Sequence, residues 1–336
     1  METARFYRVL DEDKVQCYLC PHHCRITPGK RGICRVRENR AGTLYTLNYG
    51  RLISGNIDPI EKKPIFHLLP GSLSYSIATV GCNFRCLHCQ NYEISQYPAL
   101  HNNEIAGILH TPAEVVAAAQ AGSCRSISYT YVEPTIFYEF AFDTAQLARK
   151  AGVRNIFVSN GYIGPEATRE IAPWLDAINI DLKAFSQRFY HEVCGAHLQP
   201  VLDTIILMKE LGIWVEVTTL IIPGWNDSTE ELTEIARFLV AIDPHIPWHV
   251  SRFWPTYKMM GPHPTPPETL HRAREIGRAS GLHHVYVGNI HDNEGENTTC
   301  PNCGTTLITR LGFGVGSNQL IKGHCPQCDT EIAGRW

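Results

Sequence analysis

No stretch of this 336-residue chain approaches the length of a membrane-spanning helix. An apolar leader is also missing, since the sequence starts Met1-Glu-Thr-Ala-Arg-Phe-Tyr7, so no secretory signal is expected. Charge is sparse and nearly balanced, with 19% of residues ionisable as Asp, Glu, Lys or Arg and a formal net charge of -3. That balance removes the basic footprint on which nucleic-acid binding usually rests. A disulfide framework does not fit either, because thirteen cysteines, an odd number, are spread over a long chain without a leader. No membrane association, no nucleic-acid partner and a cytoplasmic location are the resulting expectations.

What is present is the composition of a folded protein with a sizeable core: 44% apolar residues in a length that fits one barrel with small additions. The cysteines divide it. Cys17, Cys20, Cys24 and Cys34 form an N-terminal set, Cys82, Cys86 and Cys89 a central triplet, and Cys300, Cys303, Cys325 and Cys328 a C-terminal set. Cys124 and Cys194 stand alone and read as buried apolar residues. Three metal sites are the economical interpretation.

From residue 72 onward, short β-branched and aromatic runs at 72-80, 126-133, 153-159, 177-183, 214-222, 248-254 and 283-289 alternate with helical patterns. Thr111-Pro112 starts one helix, and others are expected over 137-150, 164-174, 199-211, 228-241 and 266-279. Six or seven such βα units predict an α/β barrel or partial barrel, whose functional loops gather at the carboxyl ends of the strands. Polar residues at those ends are then candidates for one site: Glu133, Ser159-Asn160-Gly161, Asp181, Lys183, His249, Arg252 and Asn289.

The triplet Gly81-Cys-Asn-Phe-Arg-Cys-Leu-His-Cys-Gln90 follows the first of these strands. Three thiolates from one tight loop hold three irons of a four-iron, four-sulfur (4Fe-4S) cubane and leave the fourth iron open to a substrate. Ordinary electron carriers fill that place with a fourth Cys. Zinc with His88 as fourth ligand, or redox thiols, are the alternatives. Cys300-Pro-Asn-Cys303 and Cys325-Pro-Gln-Cys328 are two C-P-x-C knuckles separated by 21 residues, with strands and a turn expected over 307-321, the pattern of a zinc ribbon; a single rubredoxin-type iron has the same geometry. The N-terminal set, with His22 and His23 inside it, fits a second 4Fe-4S cluster or zinc equally well.

The C-x3-C-x2-C spacing and His88 resemble the cluster loop of the radical S-adenosylmethionine (SAM) superfamily. Tyr131-Val132-Glu133-Pro134 resembles its Gly-Gly-Glu-Pro motif with both glycines replaced. Val158-Ser159-Asn160-Gly161 and Asp181-Leu182-Lys183 look like segments of glycyl-radical-enzyme activases such as pyruvate formate-lyase activating enzyme, although Val158 stands where those carry Asp. Asp58-Pro-Ile-Glu-Lys-Lys-Pro-Ile-Phe-His-Leu-Leu-Pro-Gly71, the segments Cys89 to Gln96 and Tyr129 to Phe137, and Trp248-His-Val-Ser-Arg-Phe253 resemble the AmmeMemoRadiSam-system radical SAM enzymes, in which Val132 is often Asn.

The resemblance implies a partial (β/α)6 barrel at 71-292, an N-terminal Cys-rich metal-binding domain at 1-70 and a zinc-ribbon-like domain at 293-336. It implies an enzyme in which a cluster on Cys82, Cys86 and Cys89 reductively cleaves SAM to a 5'-deoxyadenosyl radical that abstracts hydrogen from a substrate. His88 would lie near the adenine, Glu133 on the ammonium, and Ser159, Asn160, Asp181, Lys183 and His249 around the carboxylate and ribose. An electron donor such as flavodoxin or ferredoxin is implied, with Memo-like and AMMECR-like proteins as associates. Activation of a partner glycyl-radical enzyme, or an iron-sulfur and zinc scaffold without catalysis, are the competing functions.

Overall fold

The computed structural model describes residues 2-290 and 295-336. Its centre is one eight-stranded sheet, whose strands we number in chain order: β1 (Ser54–Pro59), β2 (Leu73–Ala78), β3 (Ser126–Tyr129), β4 (Arg154–Ser159), β5 (Ala177–Asp181), β6 (Trp214–Ile221), β7 (Trp248–Arg252) and β8 (Val285–Gly288). They lie side by side in chain order. Strands β2 to β8 are parallel, each registered on the next, and β1 runs antiparallel to β2 at one edge.

Six helices make the crossovers: α1 (Pro112–Ala121), α2 (Tyr138–Lys150), α3 (Pro165–Ile171), α4 (Gln199–Glu210), α5 (Thr229–Ile242) and α6 (Pro267–Ala279). The result is the expected partial (β/α)6 barrel. Local chemistry sets the helix starts. Thr111 and Glu114 form a reciprocal capping box before α1, and the Ser228 hydroxyl accepts the Glu231 amide before α5. The helix expected over 164-174 stops at Ile171, where Pro173 lies in a 3-10 turn, Ala172–Trp174, while a 3-10 turn at Pro134–Phe137 leads into α2 within one residue of its expected start.

Strand β1 is the element that the sequence pattern did not show. It carries Gly55, Asn56 and Pro59, poor strand formers, and is held by six paired positions on β2. The central sheet therefore begins at residue 54, ahead of the expected start at 71. The other expected boundary, at 292-293, lies outside the described residues.

Residues 60-69 leave β1 and close the bottom of the barrel. The amides of Phe66 and His67 donate to the buried Glu216 carboxylate on β6 at 2.8-3.1 Å. His67 bonds the Tyr286 hydroxyl of β8 at 2.6 Å, and Arg310 reaches back from the C-terminal unit to the Phe66 carbonyl at 2.9 Å. Two small three-stranded sheets hold the N-terminal cysteines, one of Glu2–Thr3, Arg37–Arg40 and Thr43–Thr46, the other of Tyr7–Val9, Val15–Cys17 and Arg25–Ile26. A third, of Thr298–Thr299, Thr306–Leu311 and Gly314–Asn318, holds the C-terminal set.

Candidate functional site

The triplet loop leaves β2 at the carboxyl end of the sheet and is fixed by backbone bonds rather than by secondary structure. Gly81 N donates to Ile94 O, Arg85 N to Cys194 O and Leu87 N to Val193 O, at 2.8-3.0 Å. The Gln96 amide adds a bond to Phe84 O at 3.1 Å. Gly81 has φ +103, and a Cβ there would meet Val36 at 2.7 Å and the Cys34 carbonyl at 3.0 Å, so glycine is required at this close approach.

Each thiol has a defined environment. Cys82 Sγ accepts the Phe84 amide at 3.4 Å and lies 3.9 Å from the Asn160 amide nitrogen. Cys86 is buried with the Cys194 thiol beside it, and Cys89 contacts the Ser95 hydroxyl at 3.2 Å. Burial pushes the Cys82 thiol well up, with the Glu133 carboxylate and Cys86 adding to it. For Cys86 the neighbouring Cys194 and burial act together in the same direction. Such thiols become thiolates when a cation neutralises them, which is what metal binding supplies. Cys194 is thus buried as expected, but it also has a partner that its isolation in the sequence did not announce.

Next to the triplet, three strand ends are bound together. Glu133 follows β3, and its Oε1 accepts the Thr135 amide at 3.1 Å, the Thr135 hydroxyl at 2.6 Å and the Ser159 hydroxyl at 2.8 Å. Its Oε2 accepts the Asn160 amide at 2.7 Å. Asn160 in turn donates to Asn83 Oδ1 at 2.8 Å and accepts from Tyr162 N at 2.9 Å, and Asn83 donates to the Tyr162 carbonyl. Burial raises the Glu133 carboxyl, against these hydrogen bonds.

Glu133 is therefore already engaged by the protein. Of roughly four lone-pair directions on a carboxylate, the protein already uses those of Oε1, and Oε2 keeps one open. Tyr131, in the place of a glycine in the resembled motif, keeps a glycine-type backbone at φ +64. Its hydroxyl donates to Asp58 and its carbonyl accepts from Asn91 at 2.8 Å, which holds the strained residue.

At the end of β5, Lys183 pairs with Asp181 at 3.0 Å. Burial would lower the ammonium, but Asp181 and Cys86 outweigh it and raise it well above its ordinary value. The Asp181 side chain is 40% exposed and has one oxygen without a protein partner, so it faces open space at the site. His88 is buried, its Nδ1 lacks a hydrogen-bond partner, and burial with the nearby Lys183 pushes the imidazole down to about 3. A neutral ring with an orphaned nitrogen is a ready donor or acceptor for a ligand.

His249 does not join this group. It lies at the second position of β7, deep in the barrel, with Nε2 at 2.7 Å from Glu216 and its ring against Phe66 and Tyr286. Its expected place near a ribose is corrected by that bond: the imidazole is part of the barrel floor. Glu216 is the acidic centre that sequence reasoning missed. Burial would raise it, yet His249, His67 and Trp214 hold it below the ordinary range. Only its isolation in the apolar run Trp214 to Ile222 could have marked it.

The residues present therefore fit a cluster on Cys82, Cys86 and Cys89 with SAM beside it. Thiols raised by burial and a buried His88 with an orphaned nitrogen lie on the loop after β2, Glu133 and Ser159 join the ends of β3 and β4, and a half-exposed Asp181 ends β5. The C-terminal set is different in kind. Its four sulfurs lie within 4.8 Å of one another, with Cys300 to Cys328 and Cys303 to Cys325 at 3.6 Å. Tetrahedral zinc with Zn–S bonds of about 2.3 Å would place its sulfurs about 3.8 Å apart, so this quartet is compatible with a zinc ribbon.

Comparison with known proteins agrees with this geometry. The family description "Radical SAM superfamily" matches residues 76-239. The chain is 49% identical to the uncharacterized protein MJ0808 of Methanocaldococcus jannaschii, over 99% of both chains. It is 25% identical to the putative glycyl-radical enzyme activating enzyme MJ1632 of the same organism, over 53% of this chain and 66% of that one. Among solved structures, Streptococcus suis SuiB superposes with a TM-score of 0.51 at 12% identity, covering 87% of this chain and 73% of that chain, a likeness of fold.

Proposed function

The chain belongs to the radical SAM superfamily, and from that premise we propose that it binds a 4Fe-4S cluster through Cys82, Cys86 and Cys89 and cleaves SAM reductively to initiate hydrogen abstraction from a substrate. The observation that carries this reading is a three-thiol loop that contains His88, whose Nδ1 has no protein partner, with the half-exposed Asp181 close enough to act on the Cys86 thiol. A reduced cluster, when bound, supplies the electron that breaks the sulfonium S–C5' bond of SAM.

The protein's part is binding, orientation and exclusion of water. The open lone pair of Glu133 Oε2 takes the ammonium of SAM, while its other bonds hold Ser159 and Asn160 in place. Asn160 steadies Cys82 and Asn83. Asp181 receives ribose hydroxyls, with Lys183 fixing its carboxylate and adding positive charge beside Cys86. His88 is aimed at the nucleoside from within the loop. Buried Phe84, Tyr162 and Tyr190 form the dry wall behind these groups.

The proposed division of labour follows the cysteine sets: metal-binding residues 1-70, a catalytic core at 71-292 and a zinc-binding unit at 293-336. Residues 58-71 and 89-96 support placement among AmmeMemoRadiSam-system enzymes, with Memo-like and AMMECR-like proteins as candidate associates and a flavodoxin or ferredoxin as electron source. No described helix is long and apolar enough to cross a membrane. A second reading, activation of a glycyl-radical partner protein, is supported by the similarity to MJ1632. Anaerobic protein with SAM and dithionite is expected to release 5'-deoxyadenosine. Absence of that product from protein with a fully reconstituted cluster overturns the proposal, and label transfer to a polypeptide rather than a small molecule selects the activating role.

A further inference from the structure

The N-terminal cysteines are not consumed by the function just described, and their placement is informative. Cys17, Cys20, Cys24 and Cys34 line one cavity together with His22, Arg37, Asn83 and Ile136. Arg37 is 1% exposed, directs Nη1 to Cys17 Sγ at 3.8 Å, forms an ion pair with buried Glu139 and leaves Nε without a partner. Its charge is balanced by Glu139, and what it offers the cysteine cavity is a buried N–H donor turned to Cys17.

Spacing distinguishes the type of centre. Among the described residues, the C-terminal quartet is the group of metal-ligating side chains whose ligand atoms close to within 4.8 Å of one another. Neither the central triplet nor the N-terminal quartet brings even three sulfurs that close. A single zinc needs its four sulfurs about 3.8 Å apart, whereas a cubane sits between its thiolates and holds them wider. His22 is not a substitute ligand through Nε2, which is bound to the Asn83 carbonyl at 2.7 Å.

That same bond brings the two cysteine sets together. Asn83 is the residue after Cys82, its carbonyl meets His22 between Cys20 and Cys24, and it lines the N-terminal cavity. On the other side of the loop, the Cys34 carbonyl lies 3.0 Å from the Cβ position of Gly81, which precedes Cys82. Cys34 and Cys82 also line one open groove.

We propose that Cys17, Cys20, Cys24 and Cys34 hold a second 4Fe-4S cluster, fully ligated by protein, that passes electrons to the centre on Cys82, Cys86 and Cys89. The closed shell fits a carrier, and the His22–Asn83 and Cys34–Gly81 contacts set it beside the loop of the acceptor. In one turnover it takes one electron from a low-potential flavin or iron-sulfur protein and gives one electron to the central cluster, with no bond or proton moved. The relay role rests on the proposed function; the second cluster does not.

The test uses full-length, anaerobically reconstituted protein and measures iron, sulfide and zinc per chain with the paramagnetic resonance spectrum after reduction. About eight irons are expected for the native chain and about four for the variant Cys82→Ala/Cys86→Ala/Cys89→Ala, which leaves the N-terminal set untouched and should keep a reducible cluster signal. A variant without iron, or with one more zinc than the C-terminal quartet accounts for, overturns the second cluster. The complementary variant Cys20→Ala/Cys24→Ala/Cys34→Ala should still reduce with dithionite and lose at least about tenfold in the rate of central-cluster reduction by reduced flavodoxin. An unchanged rate overturns the relay, and if that variant does not fold, the same flavodoxin assay on native protein decides: the N-terminal signal must appear before the central one. Should native protein fail to cleave SAM while the triplet variant keeps four irons, the proposed function fails and the second cluster stands.

Discussion

Glu133 accepts the Ser159 hydroxyl at 2.8 Å, a bond that ties the end of β3 to the end of β4. With the Asn160 amide on its other oxygen, this carboxylate fixes the register of two loops beside Cys82. Glu133→Ala leaves four buried donors without an acceptor, and unsatisfied buried groups cost about 1-3 kcal/mol each before relaxation. A loss of roughly 3 kcal/mol in urea unfolding is expected, together with weakened SAM binding. A variant of native stability would show that water replaces the carboxylate.

His88 and Asp181 carry the open polar atoms that the proposed function assigns to the ligand. His88→Ala and Asp181→Asn are each expected to raise the dissociation constant for SAM about tenfold, the equivalent of roughly 1.4 kcal/mol. Iron content should not change. Anaerobic calorimetry on the reconstituted protein separates this outcome from a loss of cluster.

Asp58 gives a pH signature. Burial would raise its carboxyl, but Lys62, Lys63 and Tyr131 outweigh burial and hold it well below the ordinary carboxylate range. A carboxylate with a depressed folded pKa contributes stability that is complete above the unfolded value and is lost as pH falls below it toward the folded value. Asp58→Asn leaves the buried Lys63 ammonium, 2% exposed, without its anion, at a cost of about 3 kcal/mol near neutrality. The stability difference between native and variant protein should shrink as pH falls from about 5 through about 4 and below. A difference that grows in acid contradicts the ion pair.

Gly81→Ala tests the contact between the two cysteine loops. The new methyl group meets Val36 and the Cys34 carbonyl on a backbone at φ +103, so either the 34-36 segment or the triplet loop must move. Roughly 1-3 kcal/mol of destabilisation is expected. Iron incorporation should fall at both sets, and a variant that loads fully would mean that the loops are independent.

The C-terminal quartet should hold one zinc that Cys325→Ser releases. Because Arg310 and Arg335 bind the 60-69 segment, loss of that metal is expected to lower the melting temperature of the barrel as well as of the ribbon. Differential scanning calorimetry with a chelator checks it: a single unshifted transition for the barrel would separate the two units.

Much of this was visible in the sequence because it is local. The βα alternation, the capping Thr111 and Ser228, and the three cysteine spacings each depend on residues a few positions apart, and strands β2 to β8 fall inside the expected runs. What was hidden is non-local. Nothing near Glu133 in the chain shows that Ser159 and Asn160 use its lone pairs, nor does the neighbourhood of His249 show Glu216, 33 residues earlier. Strand β1 was hidden for another reason: its glycine and proline are tolerated only because β2 supplies the ladder.

The floor of the barrel also has a place in time. Residues 60-69 are made early, but their partners come much later: Glu216 lies 150 positions beyond Phe66, Arg310 244 beyond it, and Ala333 266 beyond His67. Contacts of such separation carry a large loop-closure entropy and form late. The walls of the barrel are therefore expected to assemble around an unseated segment, which docks fully only after the ribbon exists, so that a stretch synthesised early is among the last to become native.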